Sequence, residues 1–336
     1  MHVPYVKKTV SVIIPVYNGG DNFRRCLLSL SESDTHPDEI IVVADGDSDG
    51  SWRMAEEFNA GILRLPTTGG PARARNIGAQ KAKGDILFFI DADVNIARDA
   101  ISLVIEAFDH DPDIAAVFGS YDDEPFETNF LSQYKNLFHH YVHQTSSDNA
   151  STFWGACGAI RREVFLKIGG FDEGFRWPSI EDIELGYRLK RAGYRIRLLK
   201  TLNVKHLKHW DVSSLLKADF FYRAIPWTRL ILKERKFLDD LNLKISNRIS
   251  VISAYLLIFS LSGSLYMPHL LFIPFLLLTL LLVLNMDLYL FFRKKRGTFF
   301  MLKTIPWHWF YFLYSGLAFL IGFANHFLKK IQGHIS

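Results

Sequence analysis

Short apolar runs alternate with amphipathic stretches along the first 120 residues. Runs at 10–14, 39–44, 62–65, 85–90 and 114–118 have strand length and are rich in Val, Ile and Phe. Between them, 21–31, 50–59, 71–83 and 97–108 carry apolar positions at helical spacing, and Pro71 stands where a first helical turn accepts proline. Strands alternating with helices predict an α/β fold with a mostly parallel central sheet covered on both faces. The rhythm fades after Gly119. Helices are predicted over 128–142 and 180–192 and a last strand over 194–199, while 152–160 reads as a small-residue strand or loop.

The pattern changes near residue 210. In 213–237, Phe220, Phe221, Tyr222 and Trp227 are interleaved with Lys217, Arg223, Arg229, Lys233, Arg235 and Lys236. That mixture predicts helices lying in a membrane interface, with Pro226 breaking them. Residues 249–286 then run for 38 positions without Asp, Glu, Lys or Arg, enough for a hairpin of two spans at about 20 residues each. Ser262-Gly263-Ser264 and Pro268-His269 mark its turn. A second uncharged stretch, 304–328, predicts a third span, whose Trp307, Trp309, Tyr311 and Tyr314 equally suit a tilted or re-entrant element. The expected organisation is a body over 1–210, interfacial helices over 211–248 and a transmembrane region of two or three spans over 249–328.

Basic residues orient the hairpin. Lys244 and Arg248 precede the first span and Arg293-Lys294-Lys295-Arg296 follow the second, so both groups fall on one side. The positive-inside tendency places that side, and the body with it, in the cytoplasm of a multi-pass cell-membrane protein. A third span would carry Lys329 and Lys330 to the opposite face. Residues 1–8 lead into the first strand without a cleavage pattern, so no signal peptide is expected.

Composition sharpens this picture in two places. The net charge of +4 hides a tail of +6 from residue 249 onward and a body of −2, by count of the same residues. A slightly acidic body lacks the local basic excess of a nucleic-acid-binding domain. Two Cys exclude a disulfide scaffold and a Cys-rich metal site.

The polar residues that carry chemistry sit at predicted strand ends, where ligands bind in such sheets. The fourth strand delivers Asp91-Ala92-Asp93, and carboxylates there can hold a hard cation that neutralises a diphosphate. The second strand ends in Asp45-Gly46-Asp47-Ser48-Asp49-Gly50, a turn with Ser48 or Asp49 as helix cap and Asp45 placed to accept from a nucleobase imide. Gly69-Gly70-Pro71-Ala72-Arg73-Ala74-Arg75 opens a helix with two guanidinium groups that cannot share one face, so at most one reaches an anionic ligand. The Gly-X-Gly-X-X-Gly dinucleotide fingerprint is absent from the first strand–helix turn, which excludes the usual nicotinamide site. In Glu181-Asp182-Ile183-Glu184, Glu181 and Glu184 share a helix face and Asp182 points elsewhere, available as a general base.

Taken in order, Pro15-Val16-Tyr17-Asn18, Val43–Gly50, Gly70–Asn76, Asp91-Ala92-Asp93 and Glu181–Leu185 resemble family 2 of the inverting, nucleotide-sugar-dependent glycosyltransferases of GT-A fold. The stretch from Gly155 to Asp172 resembles the family's acceptor-side segment. The resemblance implies that Pro15, Tyr17 and Asp45 bind the nucleoside, that Asp91 contacts the ribose side, and that Asp93 holds Mg2+ or Mn2+ on the diphosphate. It makes Asp182 the catalytic base with Glu181 beside it. His206 or His209 stands where relatives place a histidine near the diphosphate, and the sequence does not choose between them. Two departures count. Ala44 replaces the first of two acids the family usually carries, and no Gln-X-X-Arg-Trp motif of polymerising members follows Asp182. The implied partners are a UDP- or GDP-sugar and a polyprenyl-phosphate or lipid-linked glycan acceptor in the bilayer. A partner-dependent polysaccharide synthase and a non-catalytic membrane scaffold are the alternatives.

Overall fold

The structure, a computed structural model, describes residues 8–234 and 244–332, with side chains through 328. Residues 1–7, Arg235, Lys236 and the side chains of Lys329 and Lys330 therefore lie outside the described residues. The chain divides into two compact units, Met1–His209 and Trp210–Ser336.

The first unit is built on one sheet. Strand β1 (Val10–Val16) is buried at every position except Pro15, as befits a strand with helices on both faces. It pairs in parallel with β2 (Glu39–Asp45) on one side and β4 (Ile86–Ile90) on the other, and β3 (Gly61–Leu65) extends β2 in parallel. Because these strands run the same way, residues 17–18, 45–49 and 91–93 emerge at one edge. Beyond β4 the sheet becomes mixed. The order is β3-β2-β1-β4-β8-β6-β9-β5, where β8 (Cys157–Arg161) is antiparallel between β4 and β6 (Ile114–Tyr121), β9 is Arg195–His206 and β5 is Val94–Ile96, and the two-residue β7 (Asn149–Ala150) pairs with β9 off this path.

Several local differences from the sequence reading have plain causes. The last strand, β9 (Arg195–His206), is twice the predicted length because it pairs first with β6 and then, past a register shift, with the three-residue β5 (Val94–Ile96). That pairing sets His206 opposite Val94, next to Asp93. The helix expected over 50–59 is a 3-10 turn, Ser51–Phe58, entered through Gly50 at φ 78°. Gly50 rather than Ser48 or Asp49 is its cap residue, and the Asp49 carboxylate accepts instead from the Ser51 N–H and hydroxyl.

Helices α1 (Gly20–Ser31), α2 (Pro71–Lys81), α3 (Ala100–His110), α4 (Phe130–Gln144), α5 (Arg162–Ile168) and α6 (Glu181–Arg191) complete the unit. Two glycines set how close the functional helices come. A methyl group at Gly78 of α2 would meet Ile13 of β1 at 2.6 Å, and one at Gly186 of α6 would meet the Thr152–Phe153 backbone at 2.5 Å.

In the second unit, α7 (Val212–Leu216) opens with a capping box between Asp211 and Ser214. A π-helical segment, Lys217–Ala224, runs directly into α8 (Ile225–Glu234). Pro226 thus sits just past the point where the π-helical segment passes into α8 and does not break the helical run. Helix α9 (Ile245–Ser264) packs against α10 (Phe272–Leu284), and the Asn285 amide donates to Ser250 Oγ across their buried base. Helix α11 (Met286–Gln332) contains the stretch predicted as a separate third span and bends at Gly297, φ 83°. Gly316 lets α11 close on Val251 and Tyr255 of α9, and the Tyr255 hydroxyl donates to the Leu313 carbonyl at 2.6 Å.

Among the described residues, Ile245–Ser264 and Met286–Leu328 are long and apolar enough to cross a membrane. The second arm of the hairpin, Pro268–Leu284, is shorter than that because Asn285 interrupts it. The turn between the arms is open, with Tyr266 88% exposed.

Gly186→Ala should lower stability by about 1–3 kcal/mol, because its methyl has only backbone to push against. Denaturant unfolding of the full-length protein checks this.

Candidate functional site

The edge of the sheet is braced before any ligand arrives. Asn18, at φ 50° just past β1, donates its N–H to Asp47 Oδ1 and accepts from the N–H groups of Ser48 and Asp49. Tyr17 beside it is 57% exposed, and Pro15 is half-buried in register with Val43. Asp45 was expected to face a nucleobase, but it is buried. Its carboxylate accepts from Thr68 Oγ1 at 3.0 Å and from the N–H groups of Gly69 and Gly70 at 2.8 Å each. The group therefore ties the end of β2 to the loop that starts α2. Gly46 must be glycine here, since a Cβ would meet the Thr68 nitrogen at 2.4 Å.

The two arginines of α2 part company. Arg75 is buried and forms ion pairs with Asp91 Oδ1 at 2.6 Å and Glu181 Oε1 at 2.8 Å. It was expected as a possible ligand contact, yet both terminal nitrogens are engaged within the chain. Arg73 is half-buried over Gly69 and has no hydrogen-bond or ion-pair partner among the described residues. Helical geometry forbade a shared face, and the structure shows which face turns inward.

Asp91 and Asp93 lie on the turn between β4 and β5, each side chain about a third exposed. His206 Nε2 stands 3.8 Å from Asp93 Oδ2, and the His206 ring stacks on Tyr121 at 4.3 Å. The Asp93 carbonyl accepts the Leu207 N–H at 2.9 Å, so this turn and the end of β9 are one assembly. Burial raises the Asp93 carboxyl, but the close His206 ring and Lys208 outweigh it and hold the pKa at about 2. His209 is elsewhere, exposed and paired with Glu127 at 2.8 Å.

On the opposite side, Glu181 and Asp182 begin α6. Glu181 is buried, with one oxygen on Arg75 and the other accepting the Ser179 N–H at 2.9 Å. Asp182 Oδ2 accepts the Gly155 N–H at 3.0 Å, and Oδ1 accepts from Ile183. Burial and the Glu181 charge push its pKa up to about 6, against the lowering effects of the Gly155 N–H and Arg75. Glu184, expected to share a face with Glu181, is occupied by Arg188 one turn later. The halves meet at residues 155–156, since the Ala156 carbonyl takes the Asp91 N–H while Gly155 holds Asp182. The sequence reading missed this use of Gly155 and the Tyr121–His206 stack. A Gly in a strand-like stretch near charged residues was the available signal for the first.

Among the described residues no cluster of three His, Cys, Asp or Glu side chains could hold a metal by itself. Mg2+ and Mn2+ are commonly held by one or two carboxylates together with substrate phosphates. Asp93, ionised and open, is the donor suited to it, with Asp91 and His206 alongside.

Residues 11–169 match the model of Glycosyl transferase family 2, and 137–210 match that of the N-terminal domain of galactosyltransferase. The first unit thus has a GT-A-like fold and, over residues 11–169, is similar to glycosyl transferase family 2. Among its relatives is an uncharacterized glycosyltransferase, YfnE, of Bacillus subtilis, 26% identical over 253 residues, 59% of this chain and 64% of the relative. The chain thus spans less than two thirds of that protein. Two solved structures share the fold. The mannosyltransferase PcManGT of Pyrobaculum calidifontis, in complex with GDP-Man and Mn2+, aligns at TM-score 0.54 and 19% identity over 84% of this chain and 88% of that one. TarS 1-349 of S. aureus, in complex with UDP-GlcNAc, aligns at TM-score 0.53 and 20% identity over 67% of this chain and 66% of that one.

Asp45→Ala leaves the N–H groups of Gly69 and Gly70 unpaired and should cost about 1–3 kcal/mol. Hydrogen exchange at those two amides should speed up more than at β1.

Proposed function

We propose that this protein is an inverting, metal-dependent glycosyltransferase that moves one sugar from a UDP- or GDP-sugar to a polyprenyl phosphate or lipid-linked glycan. One observation carries the reading. An ionised, open Asp93 and a partly protonated Asp182 belong to one corner, joined through Asp91, Arg75 and Glu181. Two carboxylates with opposite tuning suit opposite tasks, one binding a cation and one taking a proton.

The donor's nucleoside lies at the end of β1, against Pro15 and Tyr17, with its pocket shaped by the Asp45-held loop. A divalent cation on Asp93 supplies neutralising charge to the leaving diphosphate. Arg73, in the first turn of α2, adds to it, and His206 supports Asp93. On the other face of the sugar, Asp182 takes the proton of an attacking acceptor hydroxyl, or orients a phosphate oxygen that is already ionised. The acceptor oxygen bonds to the anomeric carbon as the carbon–oxygen bond to the diphosphate breaks. The electron pair leaves with the nucleoside diphosphate, so a single displacement inverts the centre. The missing Gln-X-X-Arg-Trp motif supports one transfer per acceptor.

The second unit supports the lipid side of the reading. Its apolar helices anchor the chain in the cell membrane, and the basic residues around 244–248 and 293–296 keep the catalytic unit cytoplasmic. The segment 211–234, with its interleaved aromatic and basic residues, lies in the interface. A lipid-borne acceptor then meets the site in two dimensions.

Detergent-purified full-length protein with Mn2+, a panel of UDP- and GDP-sugars and membrane lipid extract should release nucleotide and yield a lipid product one sugar heavier by mass spectrometry. No release with any donor, or products many sugars long, would refute the reading. Asp93→Ala and Asp182→Asn should each lose about 10²–10⁴-fold in kcat. His206→Ala should weaken transfer, whereas His209→Ala should leave it near wild type. Only ionised Asp182 accepts a proton, so kcat should fall as pH drops below about 6 and level off above it. A profile flat down to pH 4 would remove Asp182 from the role of base.

A further inference from the structure

We propose that Arg75 is a positioning residue that couples the two sides of the site: without touching either substrate, it aims Asp91 toward the donor and holds the Glu181–Asp182 pair toward the acceptor. The inference rests on the glycosyl-transfer reading and names how its two halves are kept in register.

The Arg75 side chain is 4% exposed, which leaves no edge for a ligand. Its two terminal nitrogens go to different elements, Asp91 at the end of β4 and Glu181 at the start of α6. Its Nε has no partner. The guanidinium is closely packed. A Cβ on Gly155 would meet Cζ at 3.1 Å, and the Phe171 ring lies 5.4 Å away on centroid. The backbone is fixed as well, because the neighbouring Asn76 amide bonds both the N–H and the carbonyl of Phe171.

Charge makes the arrangement asymmetric. Asp91, Glu181 and Asp182 share this corner, and Arg75 is the cation whose field reaches all three. The charged groups that bear on Asp182 are Glu181 on its own helix and Arg75 from α2, while Gly155 presents an N–H. Removing the guanidinium leaves Glu181 unopposed beside Asp182. A lysine keeps the charge but, as a point donor on a flexible stem, does not reproduce the fork that spans two carboxylates.

The test compares Arg75→Gln, Arg75→Lys and the double variant Arg75→Gln/Glu181→Gln with wild type. It measures thermal melting, donor-nucleotide binding, and kcat and donor KM across pH 4.5–8.5. In Arg75→Gln the acidic limb of kcat should move up by about one pH unit, and donor KM should rise several-fold as Asp91 loses its aim. The double variant should return the limb toward the wild-type position while donor KM stays high. Arg75→Lys should hold the limb and still lower kcat. If Arg75→Gln folds and its limb and KM match wild type, the coupling is wrong. Equal losses in all three variants that track melting temperature, with no limb shift, would reduce Arg75 to a structural pair and also overturn it. Should Arg75→Gln not fold, Arg75→Lys decides, because unchanged kcat and KM there refute a role for the fork. A wild type that turns over no sugar nucleotide refutes the glycosyl-transfer reading itself, whereas an active wild type with indifferent variants refutes the coupling alone.

Discussion

Burying charge is costly unless it is paired and hydrogen-bonded, and the site is organised around one solution to that cost. Buried Arg75 and Glu181 and the partly exposed Asp91 come from three elements and meet in a single bridge. Breaking one arm would strand a buried charge, so the bridge holds β4, α2 and α6 in one arrangement. The rest follows from it. Asp182 takes its position from the first turn of α6, and Asp93 takes its position from the turn that Asp91 opens. Glycines at 155 and 186 allow the approach where any larger residue would hold the elements apart.

The sheet supplies the other constraint. Parallel strands β1, β2 and β4 necessarily end at the same edge, so Tyr17, Asp45 and Asp91 arrive together without any specific contact between them. The antiparallel β8 then delivers the 155–156 segment to that edge from the opposite direction, and the long β9 brings His206. A mixed sheet thereby joins the edge that carries Tyr17, Asp45 and Asp91 to the segment that holds Asp182 within one layer. The second unit follows different physics. Its helices bury little of their apolar surface against one another, and its polar contacts, such as Asn285 with Ser250, sit at helix crossings.

Much of this was legible from residue pattern. The alternation of apolar runs placed the parallel strands to within a few residues, because buried strands must be apolar throughout. The carboxylates at strand ends stood out because charge directly after such a run has few other places to go. The π-helical entry to α8 and the short β5 were not legible, since neither leaves a periodic signature. The internal partners of Asp45 were not legible for a related reason. A carboxylate next to a glycine-rich turn reads the same whether it faces a ligand or the backbone N–H groups of a neighbouring loop.

Local sequence determined the strands, the edge at which they end, the apolar tail and the acidic residue types available for chemistry, because those depend on spacing along the chain. Which arginine turns inward, which histidine stands by Asp93, and how Asp182 comes to have a raised pKa were decided by the tertiary structure alone. All depend on burial, and the first two on partners 16 to 113 positions away in sequence, from Arg75 to Asp91 at one extreme and from His206 to Asp93 at the other. Desolvation and Coulomb interactions act through space, and neither is written in the order of the residues.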